Sequence, residues 1–171
     1  MYHQNNNQFI ERNINDIYKI YDLTVFDYVF QPSSFWTKKA WVQIGQLNTE
    51  FDFVFDWEWF IRAQKGGVNF LFENYFFSIY RIHDTHKSGI GGKARDKEMQ
   101  TILERYNGKK YSDAYKFIKQ HEFLLSNLYT LNQKLGRSRF DFTFFKLLFP
   151  FKFSNFKSSE ILQLYSNSKY Y

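Results

Sequence analysis

The chain lacks cysteine altogether and is poor in proline and glycine. The absence of cysteine from all 171 residues excludes disulfide bonds, thiolate metal sites and cysteine nucleophiles. Two prolines and eight glycines are too few for a fibrous chain or a linker. Aromatic residues make up 23% of the chain and hydrophobic residues 44%, which excludes a disordered composition. The chain is therefore predicted to fold around a buried core.

Long hydrophobic runs are also missing. The most apolar stretch, residues 140–153, is interrupted by one aspartate, two lysines and one proline. It falls short of the roughly 18 consecutive apolar residues that a membrane span needs. Residues 1–8 are polar and do not resemble a signal peptide. These features predict a cytoplasmic protein, with peripheral association at the inner face of the membrane as a further expectation.

Charge is distributed unevenly along the sequence. The net charge is +6, but residues 1–86 carry −3 and residues 87–171 carry +9. A basic half of this kind suits an anionic surface. Residues 140–157 alternate aromatic and leucine side chains with lysines, which is typical either of a membrane-interface segment or of a terminal helix packed on the core. Nucleic acid is not a predicted partner, because no DNA- or RNA-binding motif is present.

Apolar spacing and turn residues predict an α/β chain in two parts. Residues 1–106 are expected to combine short strands with helices, and residues 107–171 to form a mostly helical, basic and aromatic region. Strands are predicted over 25–30, 68–72 and 75–82 from their β-branched and aromatic content. The last two are expected to pair as a hairpin.

A short helix is predicted over residues 14–21, and three more helices are predicted in the rest of the first part. Thr37 is a candidate cap for a helix that ends at Gly45. A second helix is expected to begin at Asp56 and to stop at Gly66. A third is expected over residues 94–106, where apolar residues recur at helical intervals.

Two carboxylates and an arginine share the helix that is predicted to begin at Asp56. Asp56 and Glu58 lie in its first turn, where the exposed N–H groups and the helix dipole keep a carboxylate ionised. An ionised carboxylate beside a pocket can accept the proton of an attacking hydroxyl. Arg62, one turn after Glu58, is spaced to pair with it. The alternative interpretation is that Asp56 only caps the helix and that Glu58 and Arg62 form a surface ion pair.

A second group of candidate residues surrounds His83. This histidine follows a predicted strand, beside Arg81. Neutral imidazole binds divalent cations, and Arg81 or Lys87 is suited to neutralising phosphate oxygens. The favoured alternative from the residues alone is a structural histidine at a strand end, since His86 is the only other histidine nearby and no third ligand is suitably spaced.

Four motifs follow one another between residues 31 and 88. They are Gln31-Pro32-Ser33-Ser34-Phe35-Trp36, then Gly45, then Phe55-Asp56-Trp57-Glu58-Trp59-Phe60-Ile61-Arg62, then Tyr80-Arg81-Ile82-His83 with Lys87-Ser88. In order and spacing they resemble the acceptor side of family 2 glycosyltransferases, over about residues 25–106. The resemblance implies an incomplete GT-A-like domain over residues 1–106. It also implies inverting transfer of a sugar from a nucleotide-diphosphate donor to an acceptor hydroxyl, in surface polysaccharide or glycan synthesis.

The resemblance further implies roles on the acceptor side. Asp56 would be the base that deprotonates the acceptor hydroxyl, with Glu58 and Arg62 shaping the acceptor site. The sugar or acceptor pocket would be lined by Gln31, Ser33 and Trp36.

On the donor side, the resemblance implies binding of the diphosphate by Arg81, Lys87 and Ser88. His83 would hold a divalent cation, manganese or magnesium, that offsets the charge of the departing diphosphate. The expected partners are thus a nucleotide sugar and a glycan acceptor.

A complete member of that family carries a nucleotide-binding βαβ half and an Asp-x-Asp motif ahead of these motifs. Only thirty residues precede Gln31, and none of them forms Asp-x-Asp. A βαβ unit alone takes about 30 residues or more. The sequence therefore predicts a truncated enzyme, a fragment of one, or an enzyme whose N-terminal half is encoded separately. The alternative is a non-catalytic interaction or membrane-docking module derived from such an enzyme.

Overall fold

The computed structural model describes residues 2–3, 8–9, 22–73, 75, 77–79, 81–82, 91–134 and 142–169. The chain forms two compact units. The first consists of residues 1–23 and 27–99, and the second of residues 24–26 and 100–171. The domain boundary expected after residue 106 stays a prediction, since compactness alone does not define a folding domain.

The described residues are mostly helical, so the predicted α/β class with an incomplete GT-A-like domain is wrong. The described strands are only two residues long: β1 (Tyr2–His3), β2 (Gln8–Phe9) and β3 (Arg81–Ile82). β1 pairs antiparallel with β2 and parallel with β3. Strands in globular proteins usually span 3–10 residues, so these pairs do not make the sheet of a GT-A domain.

The strands predicted over 25–30 and 68–72 are absent, and so is the predicted hairpin, within the part of the chain that the structure describes. The reason lies in where the aromatic side chains pack. The ring of Phe70 contacts the rings of Phe60 and Phe72, at centroid distances of 6.4 and 6.3 Å. Strand preference reflects packing on a pleated surface, and here a helix provides the packing surface instead.

The helices predicted to follow Thr37 and to begin at Asp56 are confirmed, while the one predicted over residues 14–21 lies outside the described residues. Helix α1 spans Lys38–Ile44, and the Thr37 hydroxyl accepts a hydrogen bond from the Ala40 N–H at 3.1 Å. Gly45 ends α1 with a φ of +86°, a conformation that favours glycine. Helix α2 spans Phe55–Lys65 and ends at Gly66.

Helix α2 is fixed in its rotation by buried residues. Trp57 and Ile61 are fully buried. The indole N–H of Trp57 donates to the Leu23 carbonyl at 2.8 Å, and that of Trp59 donates to the Gly45 carbonyl at 2.9 Å. Because polar groups of buried indoles need a partner, these two bonds set which side of α2 faces the core.

The helix predicted over residues 94–106 is also confirmed, as α3 (Gly92–Asn107), which passes from the first unit into the second. The second unit continues with α4 (Lys109–Gln120) and α5 (Glu122–Lys134). It ends with α6 (Thr143–Leu148), α7 (Pro150–Phe153) and α8 (Ser158–Lys169), of which α8 packs against α4. The mostly helical character predicted for residues 107–171 is thus present in its described residues. No described helix has the length and apolar character to cross a bilayer.

The core of the second unit is largely aromatic. Its fully buried side chains include Tyr115, Phe142, Phe145, Phe153, Ile118 and Leu125. Two buried or half-buried asparagines bind the segment 24–26 to these helices. The Asn167 amide donates to the Val25 carbonyl at 2.7 Å, and the Asn107 amide donates to the Thr24 carbonyl at 2.7 Å.

Candidate functional site

A shallow hollow opens beside the N-terminal end of α2, within the first unit. Its lining residues are Gln31, Trp36, Leu47, Phe55, Asp56, Trp59 and Phe60. Its volume is about 30 Å³, enough for a water-sized group and too small for a sugar ring. The hollow therefore brings together three predicted site residues, Gln31, Trp36 and Asp56, from separate parts of the chain.

Asp56 is the second residue of α2 and is partly exposed. Its Oδ1 accepts a hydrogen bond from the Trp57 N–H at 2.9 Å. The position preceding the helix belongs to Val54, so the alternative in which Asp56 is the N-cap residue is wrong. Asp56 nevertheless lies in the first turn, where the helix dipole favours a negative charge.

The backbone that leads into α2 is held by Glu98, a residue of α3 that the sequence did not single out. Its carboxylate accepts hydrogen bonds from the N–H groups of Asp52, Phe53 and Val54, at 2.9, 2.8 and 3.2 Å. These donors lie just ahead of a helix N-terminus, where an anion is favourable. Glu98 is 44 residues from Val54 along the chain, so no local spacing reveals the contact.

The predicted pair of Glu58 and Arg62 is present, but its surroundings are not those of a surface pair. Glu58 is only 2% exposed. The Arg62 Nε donates to both of its carboxylate oxygens, at 3.0 and 2.9 Å. The other Arg62 nitrogens donate to the carbonyls of Ile44 and Gln46, at 2.7 and 2.8 Å. Arg62 thereby fixes the end of α1 and the backbone next to Leu47, which lines the hollow. The role of this pair in shaping an acceptor site stays a prediction.

Trp36 presents an aromatic face at the mouth of the hollow. Its side chain is 41% exposed. Its ring stacks on Trp41 with centroids 6.2 Å apart and contacts Trp59 at 5.2 Å. A rigid aromatic surface of this kind, backed by other rings, is suited to the apolar C–H face of a sugar.

Ser33 is not among the residues that line the hollow. Its hydroxyl instead lies 2.6 Å from the Ser78 hydroxyl, and this hydrogen bond ties the turn at residues 31–33 to the segment that follows α2. The predicted contact of Ser33 with a sugar stays a prediction.

Most of the predicted donor site lies outside the described residues. This holds for His83, Lys87 and Ser88, while Arg81 is described only through its backbone in β3. In the described part of the chain, no three histidine, aspartate or glutamate side chains come together as a metal site. Because His83 lies outside the described residues, the divalent cation expected there stays a prediction.

No protein-family model, curated protein or solved structure matches this chain. The likeness to family 2 glycosyltransferases therefore depends on the motifs themselves. Residues from two of those motifs, 31–36 and 55–62, line one hollow in the structure.

Sequence reasoning gave no site role to four of the lining residues: Leu47, Phe55, Trp59 and Phe60. Three of them belong to the motif around Asp56, but apolar residues on a helix are ordinarily core residues. Leu47 follows the glycine that ends α1 and carries no local signal. Only the packing of α1 against α2 brings it to the hollow.

Proposed function

We propose that residues 31–62 form the acceptor site of an inverting glycosyltransferase that uses a nucleotide-diphosphate sugar. The supporting observation is the shared hollow, which Asp56 lines together with Gln31 and Trp36. A carboxylate, an amide and an aromatic face are the groups that a sugar hydroxyl and its ring require.

The volume of the hollow suits the reacting hydroxyl rather than the whole acceptor. A space of about 30 Å³ admits one hydroxyl group. In the proposed complex the acceptor hydroxyl enters beside Asp56, while the acceptor ring lies across Trp36. This arrangement holds the oxygen and the base together before the reaction, which lowers the entropic part of the barrier.

In the reaction, Asp56 takes the proton of the acceptor hydroxyl. The acceptor oxygen forms a bond to the anomeric carbon of the donor, and the bond from that carbon to the diphosphate oxygen breaks. The electron pair of the broken bond leaves with the nucleoside diphosphate. Attack from the face opposite the leaving group inverts the configuration.

The experiment is nucleotide-sugar hydrolysis, in which water takes the place of the acceptor hydroxyl. Release of nucleoside diphosphate is measured for the full chain with UDP-glucose, UDP-N-acetylglucosamine and GDP-mannose, each with manganese or magnesium. We expect Asp56→Asn to lower the rate by about 10²-fold or more, the usual contribution of a general base.

Asp52→Asn is the matched control for this substitution. Asp52 is an exposed aspartate four residues before Asp56, and it does not line the hollow. We expect it to keep the rate within about twofold of the original chain. Equal rates for Asp56→Asn and the original chain would remove Asp56 as the base. Absence of hydrolysis with every donor, both from this chain alone and after addition of the separately encoded nucleotide-binding half, would contradict the proposed function.

A further inference from the structure

The short helices α6 and α7 divide their apolar side chains between the core and the solvent. Phe142, Phe145 and Phe153 are fully buried. In the same stretch, Leu147 is 73%, Leu148 52% and Phe151 73% exposed. The sequence allows two interpretations of this region, a helix packed on the core and a membrane-interface segment. The buried face has the character of the first, and the exposed face has the apolar character that the second requires.

The buried face fixes the orientation of the exposed one. Phe145 and Phe153 contact each other at 5.8 Å between centroids, and Phe142 contacts Tyr165 of α8 at 5.6 Å. Since these rings lock α6 and α7 onto the unit, the outward side chains remain outward. Apolar side chains that the packing behind them holds in contact with solvent mark an interaction surface.

The exposed residues form one continuous apolar segment, Leu147–Phe151, with a lysine at each end. Lys146 precedes it and Lys152 follows it, and both are partly exposed. The Phe149 and Phe151 rings contact Phe117 of α4, at 5.2 and 6.0 Å, so the segment rests on an aromatic base.

Charge indicates what covers this segment. Residues 142–157 contain three lysines and no carboxylate. The second unit as a whole has twelve lysines and arginines against five acidic residues, a net charge of +7. A second copy of the chain would bring the same positive charge to the contact and be repelled. A negatively charged, apolar surface complements it.

We propose that the segment Leu147–Phe151 docks this chain onto an anionic lipid bilayer. Its apolar side chains enter the boundary between head groups and acyl chains, while Lys146 and Lys152 contact the anionic head groups. This surface belongs to the second unit and the Asp56 hollow to the first. The proposal therefore does not depend on the proposed transferase function.

The test is sedimentation of the full chain with vesicles of equal parts phosphatidylglycerol and phosphatidylcholine, and with vesicles of phosphatidylcholine alone. We expect binding to the anionic vesicles that weakens as salt is added. Leu148→Glu should lower that binding at least tenfold, because it replaces an inserted side chain with a charge.

Leu131→Glu is the matched control. Leu131 lies on α5 of the same unit and, like Leu148, is 52% exposed. Both substitutions therefore add one negative charge at an equally exposed leucine. We expect it to weaken binding by no more than about fivefold, since one added negative charge on this unit is worth at most as much as one basic residue close to the surface. Lys152→Gln should weaken binding to anionic vesicles by up to about fivefold and leave binding to neutral vesicles unchanged.

Three results would overturn the proposal. One is failure of the original chain to sediment with anionic vesicles. Another is equal loss of binding in Leu131→Glu and Leu148→Glu, while circular dichroism shows unchanged helix content. The third is a dimer, detected by light scattering, that Leu148→Glu dissociates and that does not bind vesicles. That result would make a second copy of the chain the occupant.

Discussion

Glu98 shows how a single side chain can decide the geometry of the hollow. It accepts three successive backbone N–H groups ahead of α2, where Asp56 lies in the first turn. Removal of the carboxylate leaves those donors to water and releases the backbone that positions Phe55 and Asp56. Glu98 thus positions the backbone next to the proposed base, although it does not itself line the hollow.

We expect Glu98→Ala to lower the free energy of unfolding of the first unit by about 2 kcal/mol, since hydrogen bonds to a charged group contribute about 1.5–3 kcal/mol each and these are partly exposed. All four tryptophans lie in this unit, so urea unfolding followed by tryptophan fluorescence reports on it. Glu104→Ala, at an exposed position of the same helix, is the control and should change stability by less than about 0.5 kcal/mol.

Glu122 forms ion pairs with two lysines of the second unit. Burial raises the pKa of its carboxyl group, but hydrogen bonds and charges from Lys169 and Lys119 outweigh burial and leave the pKa below the ordinary 4.5. The two lysine nitrogens lie 2.9 and 3.1 Å from its oxygens. Because the folded pKa is lowered, this group stabilises the fold above the unfolded pKa, and the contribution is lost as pH falls through the folded value.

Glu122→Gln should therefore remove part of the loss of stability below pH 4.5. We expect thermal unfolding followed by far-ultraviolet circular dichroism to show a smaller drop in midpoint between pH 6 and pH 3 in the variant than in the original chain. Equal drops would show that these ion pairs do not contribute to acid sensitivity.

At the scale of elements, α1 and α2 could be predicted because their signals are local. Thr37 and Gly45 bracket α1 with a capping hydroxyl and a positive φ, and Gly66 ends α2. The strands could not be predicted, because a strand needs partners that sequence spacing does not identify. The aromatic residues of 68–72 pack on a helix instead of pairing in a sheet.

Gly45 ends α1, and its carbonyl accepts the indole N–H of Trp59, whose ring contacts that of Trp36. We expect Gly45→Ala to lower the free energy of unfolding by about 1–3 kcal/mol, because alanine is strained at a φ of +86°. A clash does not contribute to this cost, since a Cβ at this position would have no neighbouring atom within 4 Å. The near-ultraviolet circular dichroism of the tryptophans should also change, since the Gly45 carbonyl accepts the Trp59 indole N–H.

Val42→Ala is the control for this variant, as it alters an exposed position of α1. It should leave the near-ultraviolet spectrum unchanged. A stable Gly45→Ala protein with an unaltered spectrum would contradict the role given to this glycine.

At the scale of the whole molecule, composition correctly indicated a folded, aromatic-rich chain but not its class. Apolar residues in short runs fit buried strands and short helices alike, and only long-range contacts distinguish them. The order of the motifs singles out Asp56, Gln31 and Trp36, and these three residues line one hollow, while their roles stay predictions. Leu47 and Glu98 depend on tertiary contacts and could not be identified in the same way.

The assignment of residues 24–26 to the second unit has a consequence for how the two units are linked. The chain passes between the units three times, after residues 23, 26 and 99. The amide of Asn167, which is fully buried, has its acceptor at Val25, far from it in sequence. A fragment that starts at residue 100 would leave that buried amide without its carbonyl acceptor, so we expect the fragment to be less stable than the same residues in the whole chain.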